Sequence, residues 1–284
     1  MALWRPDRVD ERLAVADEMI AVAHAARDRH AELQARNWRV TDLFERGDMP
    51  AWREEVARHA RLADELRLPA FQWYTPLWAA VEATFAGRDA EAERLAGEAE
   101  EAGTRAGDRN AELFAAMIRF AGQLAREAYA EIGLDYVEDK IANAPAGPAY
   151  RGSYAWILAG LGQTERARHE LDAAMAHPHA FDANWLSAYA ECAHASIVLG
   201  VGAHAAELYE RLAPYAGRPV TAGRAVCSFG AVDRSLGGLA ALLDRRDDAV
   251  RHLEAAIRIN DALGYVAWRE HAERDLERLR RGSA

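Results

Sequence analysis

"FQWYTPLWAAVEATFAGRDAEAERLAGEAEEAG" runs from Phe71 to Gly103. The second half has the three- and four-residue apolar spacing of an amphipathic helix. The first half sets Trp73, Tyr74 and Trp78 among Ala, Thr and Val, and Gly87-Arg88-Asp89 separates the two as a turn. Two helices joined by so short a turn form a hairpin, one carrying large rings and the other small residues. The same texture extends outward. In "RLAVADEMIAVAHAA", Leu13, Ala16, Met19, Ile20 and Ala23 form one stripe, strand signals are almost absent, and Gly, Asp and Pro punctuate about fourteen helices.

The turns recur. Gly47 in "RGDMPAW" and Gly87 in "AGRDAEA" are 40 residues apart, as are Gly162 in "LGQTERA" and Gly202 in "LGVGAHA". Arg246 in "LLDRRDDAV" lies 44 further on, and a degenerate unit fits between with its turn near Arg126. Each turn precedes a segment such as "DAEAERLAGEA", "ERARHELDAAM" or "DDAVRHLEAAIRIN", in which small residues allow close helix approach. A fixed period of this size is the mark of stacked helical hairpins.

The pattern resembles the tetratricopeptide repeat, with a longer period. "NWRVTDLFERGDM", "GRDAEAERLAGEAEEAGTRAGDRNAE", "DANWLSAYAECAHASIVLG", "AELYERLAPYAGRPVTAGRA" and "LGGLAALLDRRDDAVRHLEAAIRINDALG" are similar to the carboxy-terminal repeat region of large bacterial signalling ATPases and LuxR-type transcriptional regulators. The likeness covers nearly the whole chain. It implies an all-α, tetratricopeptide-like α-solenoid of about seven hairpins, forming a right-handed superhelix as a single domain over residues 1–284. It also implies binding of a ligand or partner in signalling or transcriptional regulation. The ATPase and DNA-binding modules of that family are not found in this sequence.

Composition narrows the chemistry. With 35 basic against 45 acidic side chains the formal charge is −10, which repels phosphate backbones and argues against nucleic acid. Lys140, in "VEDKIAN", is the sole lysine, so no phosphate-binding Gly-Lys-Ser/Thr loop exists and a Schiff base could form only there. Cys192 and Cys227 lack metal or disulfide spacing and fit a reducing cytoplasm. No apolar run reaches membrane-spanning length, and "MALWRPDRVDERL" lacks a signal-peptide core.

In tetratricopeptide-like hairpins the helix before each turn lines the concave face. The inner helices are then expected near 29–46, 69–86, 108–125, 148–161, 182–200 and 224–243. They carry Trp38, Trp73, Tyr74, Trp78, Phe114, Tyr150, Tyr154, Trp156, Trp185, Tyr189 and Phe229, rings that either pack between repeats or line a groove of the kind that holds small molecules. Arg39, Arg119, Arg151, Arg224 and Arg234 fall on the same helices, suited to a carboxylate or phosphate ligand or to bridges between repeats. The candidate ligand-binding set is Trp38, Trp73, Tyr74, Trp78, Arg119, Tyr154, Trp156, Trp185, Tyr189 and Arg224. "YAGRPVTAGRAVCSFG" is the longest non-helical stretch; Thr221 and Gly223 are expected to start the next helix, with Arg218 and Arg224 at its N-terminus as an anion contact.

Candidates for proton transfer are Asp42, Glu82, Glu191 and His194, the last two at i,i+3 on one helix. "MAHPHAFDANW" places His177, His179 and Asp182 close together. His-Pro-His splays its rings and no third ligand motif stands near, so no metal is expected, Asp182 serving instead as a helix cap. No cofactor is expected. Three functions follow: a module binding a small molecule, or a peptide segment, in an aromatic and Arg-lined groove; a scaffold for an effector protein or a homodimer; and a cyclase-like enzyme using the groove as a chamber for a natural-product intermediate. The first is favoured.

Overall fold

A computed structural model describes residues 4–143, 147–176 and 179–282. The described chain is almost wholly helical. In order it forms α1 (Val9–Ala25), α2 (Arg29–Arg46), α3 (Met49–Leu66), α4 (Pro69–Gln72), α5 (Tyr74–Phe85), α6 (Asp89–Arg105), α7 (Ala111–Ala125), α8 (Leu134–Asn143), α9 (Gly147–Gly160), α10 (Thr164–Met175), α11 (Trp185–Leu199) and α12 (Ala205–Leu212). A two-stranded sheet, β1 (Pro219–Ala222) and β2 (Cys227–Ala231), precedes α13 (Val232–Leu242), α14 (Arg246–Leu263) and α15 (Val266–Arg281). No helix among the described residues is long and apolar enough to cross a membrane.

The turns have one local cause. Arg27, Gly47, Arg67, Gly87, Gly107 and Glu127 all have positive φ, and they fall every 20 residues. At each, the amide of the following residue reaches back to a carbonyl five residues earlier, as Asp48 N does to Leu43 O at 3.1 Å and Asp108 N to Gly103 O at 2.9 Å. This is the left-handed helix stop that satisfies orphan carbonyls. Asp28 and Asp48 then cap the next helix, accepting from Ala31 N and Ala51 N. A stop and a start share two residues, so the chain folds back at once.

The period continues less evenly through Gly162, Gly200, Asp244 and Gly264. Three expected turn positions therefore shift. Glu127 takes the left-handed place rather than Arg126, Gly200 rather than Gly202, and Asp244 rather than Arg246. The rule that Gly marks the turn fails where Glu, Asp or Arg accepts the conformation at modest cost.

Two compact units result: Met1–Gly122 with Thr221–Ser228, and Gln123–Val220 with Phe229–Ala284. In the first, α1 packs on α2, α2 on α3, and α4 and α5 on α6. Leu33, Leu62, Ala63 and Phe71 form a buried cluster there. Helix α6 buries only Ala92, Ala96, Ala99 and Gly103, a smooth face over which the rings of Phe71–Trp78 lie. A Cβ at Gly103 would stand 2.6 Å from Ala111 Cβ and 3.0 Å from Trp73. The large and small halves of the opening stretch are thus complementary surfaces. Pro76 cannot donate a helical hydrogen bond, and the helix is interrupted at Trp73 between α4 and α5.

In the second unit α9, α11 and α13 pack in sequence, with α10, α12 and α14 beside them. Every residue of α11 from Trp185 to Ser196 is buried, which explains why "WLSAYAECAHAS" is apolar all round. Residues 219–231 correct the expectation that a helix starts near Thr221. Pro219, Val220, Thr221, Val226 and Phe229 favour extended backbone, and the helix begins at Val232.

Candidate functional site

Arg224 sits at the tip of the hairpin, within the first unit. Val226 N donates to Gly223 O at 2.9 Å, closing a turn whose central residues Arg224 and Ala225 have φ of 37° and 62°. Two positive values are the pattern of a tight hairpin turn that normally takes Asn-Gly. Arg-Ala at these positions strains the backbone, and strain of this kind gathers at functional sites. Ala225→Gly, which leaves Arg224 in place, is expected to raise stability by about 0.5 kcal/mol after loss of one buried methyl; thermal unfolding of the variant checks it, and a drop in stability would show the turn to be relaxed.

The turn delivers Arg224 to α2 and α5. Its Nη2 donates to Asn37 Oδ1 at 2.5 Å, and its Cζ lies 4.5 Å from the Trp38 ring centroid and 5.9 Å from that of Tyr74. Trp4 meets Trp38 edge to face at 5.4 Å. Behind Tyr74 the rings continue through Trp73 at 4.3 Å and Trp78 at 5.2 Å to His59, which is 4.9 Å from Trp78. Trp4, Trp38 and Arg224 are half-buried, whereas Tyr74, Trp73, Trp78 and His59 are buried. The arrangement has an open edge and a closed floor.

Its polar atoms are under-used. Asn37 Nδ2 and Arg224 Nε are buried with no hydrogen-bond partner among the described residues, as are Trp73 Nε1, Trp78 Nε1 and both ring nitrogens of His59. Buried donors are normally satisfied, and an orphan costs about 1–3 kcal/mol. Burial, aided by the field of Arg36, pushes His59 down to about 4, so its ring is neutral at pH 7. Burial also raises Tyr74, against the nearby Arg224.

The other inner arginines differ from Arg224 in one respect. Arg39 pairs with Asp17 and Glu55, Arg119 with Glu93 and Glu100, Arg151 with Glu170, and Arg234 with Asp275. Among the described residues no carboxylate lies within ion-pairing distance of Arg224. Its positive charge is held by an amide oxygen and two π faces instead.

The proton-transfer candidates are spoken for. Asp42 accepts from Arg12 at 2.7 Å and Glu82 from Arg53 at 2.5 Å. Glu191 does not pair with His194: it accepts from Ser153 Oγ at 2.6 Å, while His194 faces Ser235 at 3.5 Å and stacks on Trp156 at 4.5 Å. Burial raises Glu191 to about 8 and holds His194 far below its ordinary value. Burial likewise pushes the Cys192 thiol up.

The remaining candidates lie in the second unit. Tyr154 donates to Glu138 and lies beside Arg166, its hydroxyl pushed up to about 12 by burial and by Glu138. Trp156 belongs to a stack with His194, Trp268 and His271. Trp185 and Tyr189, 4.8 Å apart, cluster with Phe181, Tyr215 and His179, and Arg211 covers Tyr189 at 4.8 Å. Asp182 accepts from Asn184 N at 2.9 Å, and Asn184 rather than Asp182 occupies the helix cap. His177 and the side chain of Lys140 lie outside the described residues.

Of the ten ligand-binding candidates, the structure brings Trp38, Trp73, Tyr74, Trp78 and Arg224 into one cluster. Asn37, Trp4 and His59 complete it and were missed. Asn37 adjoins Trp38 in sequence, but nothing in a sequence distinguishes a paired arginine from an unpaired one.

No protein-family model matches the chain, and no curated protein is significantly similar to it.

Proposed function

We propose that the chain is a ligand-binding helical-repeat module, taking a small organic molecule against Trp38, Tyr74 and Arg224. One observation carries this: an arginine with no carboxylate partner among the described residues is set between two aromatic faces by a strained turn. A side chain kept only for stability would be expected to find a counter-charge, as Arg39, Arg119, Arg151 and Arg234 do. Aromatic walls with a few convergent polar groups are the usual form of a small-molecule site. The 20-residue recurrence of left-handed turns supports the finer fold reading, that these hairpins are tetratricopeptide-like. The resemblance to repeat regions of bacterial regulators suggests a role in signalling or transcriptional control.

The test is a thermal-unfolding screen of planar aromatic compounds with neutral, cationic and anionic members, repeated on Trp38→Ala. The expected result is a set of compounds that raise the unfolding temperature of the natural chain, with the rise lost in the variant. A screen with no Trp38-dependent rise would contradict the proposal.

A further inference from the structure

The site described above has a chemical sign. Arg224 is a permanent cation. The guanidinium donates only, so the amide of Asn37 must present its oxygen to it, and Nδ2 is the arm left over. Asn37 is 1% exposed and its Nδ2 has no partner among the described residues. Arg224 Nε, buried and also without a partner among the described residues, is the other donor. Neither group can accept a hydrogen bond at these atoms. A ligand that completes the site must therefore bring acceptors and no donor to this spot.

Charge points the same way. With no carboxylate among the described residues beside Arg224 and a half-buried position, the guanidinium favours an anion over a neutral acceptor, because Coulomb attraction between the two charges adds to the hydrogen bond. Two donors and a single positive charge match a group with two oxygens and one negative charge. A phosphate monoester would bring more oxygens and more charge than the site answers. The half-buried rings of Trp4 and Trp38 with Tyr74 beyond supply flat walls for the body of the ligand.

We infer that the site recognises a planar aromatic carboxylate, its carboxylate drawn to the half-buried guanidinium of Arg224, where it would uncover Nε and Asn37 Nδ2 as its donors, and its ring against Trp38 and Tyr74. This rests on the small-molecule reading above and specifies its ligand class. The geometry also assigns Asn37 a discriminating role. Asn37→Asp would place a carboxylate on Arg224, supply the missing counter-charge from within, and exclude an anionic ligand while keeping side-chain volume.

The experiment uses the full chain and four probes: 2-naphthoate, its neutral isostere 2-naphthamide, phenyl phosphate, and acetate. Binding is followed by calorimetry, with tryptophan fluorescence compared between the natural chain and Trp38→Phe. The expected order is 2-naphthoate tightest, with 2-naphthamide about tenfold weaker or more, the size of one charge-assisted contact. Arg224→Gln and Asn37→Asp are each expected to weaken 2-naphthoate by about tenfold or more and to weaken 2-naphthamide much less, and Arg224→Lys to restore part of the loss. Unfolding temperature, measured for every variant, separates lost recognition from lost structure.

Naphthamide binding as tightly as naphthoate, through Trp38 and regardless of Arg224, would overturn the carboxylate inference while leaving a ligand-binding module in place. A preference for phenyl phosphate would overturn the choice of headgroup. Acetate binding as tightly as naphthoate would overturn the aromatic part. If no probe and no compound of the wider screen gives a Trp38-dependent response, the small-molecule reading fails with it.

Discussion

Trp268→Ala is expected to destabilise the protein by about 3–5 kcal/mol, the range for removing a large ring from a core. Trp268 is 2% exposed and lies at the centre of the second unit's aromatic stack. Its ring centroid is 5.1 Å from His271, 6.2 Å from Trp156 and 6.4 Å from His194, with Arg234 over its face at 5.9 Å. Its backbone side is equally fixed. Gly230 adopts φ of 82°, and a Cβ there would stand 2.9 Å from Trp268 Cβ, so β2 approaches the indole without room to close a void. A cavity left by the indole would also loosen two histidines held neutral by their packing. Chemical denaturation measures the loss; a change under about 1 kcal/mol, less than burial of the ring alone accounts for, would contradict the packing described.

The second large effect concerns pH. Burial holds the Glu191 carboxyl protonated up to about pH 8, whereas in an unfolded chain it ionises near 4.5. Between those values the folded state carries one proton more than the unfolded state, so stability falls as pH rises, by roughly 1.4 kcal/mol per unit. Three histidines oppose this at lower pH. Burial brings His59 and His271 down to about 4 from 6.5, and His194 lower still. Each binds its proton more readily when unfolded, so their contribution rises with pH until about 6.5 and is lost in acid.

Stability is therefore expected to peak just below pH 7 and to decline by only about 0.5 kcal/mol towards pH 8, because the histidines still offset much of the Glu191 loss there. In Glu191→Gln the amide oxygen can still accept from Ser153, but the titration is gone. The advantage of the variant over the natural chain is expected to grow by about 2.5 kcal/mol between pH 6 and pH 8.5. Urea denaturation at half-unit steps from pH 5 to 9 tests this. The same alkaline decline in both proteins would place its origin elsewhere.

The turns were legible because their cause is local. "RGDM" spells a left-handed stop followed by an aspartate cap and "AGRD" a left-handed stop without one, and both stops fall where expected. Glu127, Asp244 and Arg67 adopt the same conformation without glycine, so the period could be counted only to within two residues. The aromatic faces were legible as well, since Trp73, at the start of α5, and Trp78 within it lie above the alanines of α6. The hairpin at 219–231 was not. Its turn carries Arg-Ala where Asn-Gly would announce it, and Gly217, Pro219 and Gly223 look like a loop leading into a helix.

The difference among the arginines was beyond sequence altogether. Arg119 meets Glu93 and Glu100 across a helix pair, and Arg224 reaches Asn37 from 187 positions away. Which cation is neutralised depends on tertiary contacts that spacing does not encode. The backbone strain at Arg224 and Ala225 is equally invisible in the letters.

The most direct measurement is a crystal structure of the chain with 2-naphthoate. The account predicts carboxylate oxygens about 3 Å from Arg224 Nε and Asn37 Nδ2, with the rings against Trp38 and Tyr74. Arg224 paired with a carboxylate of the chain itself, or the ligand bound away from Trp38, would contradict it.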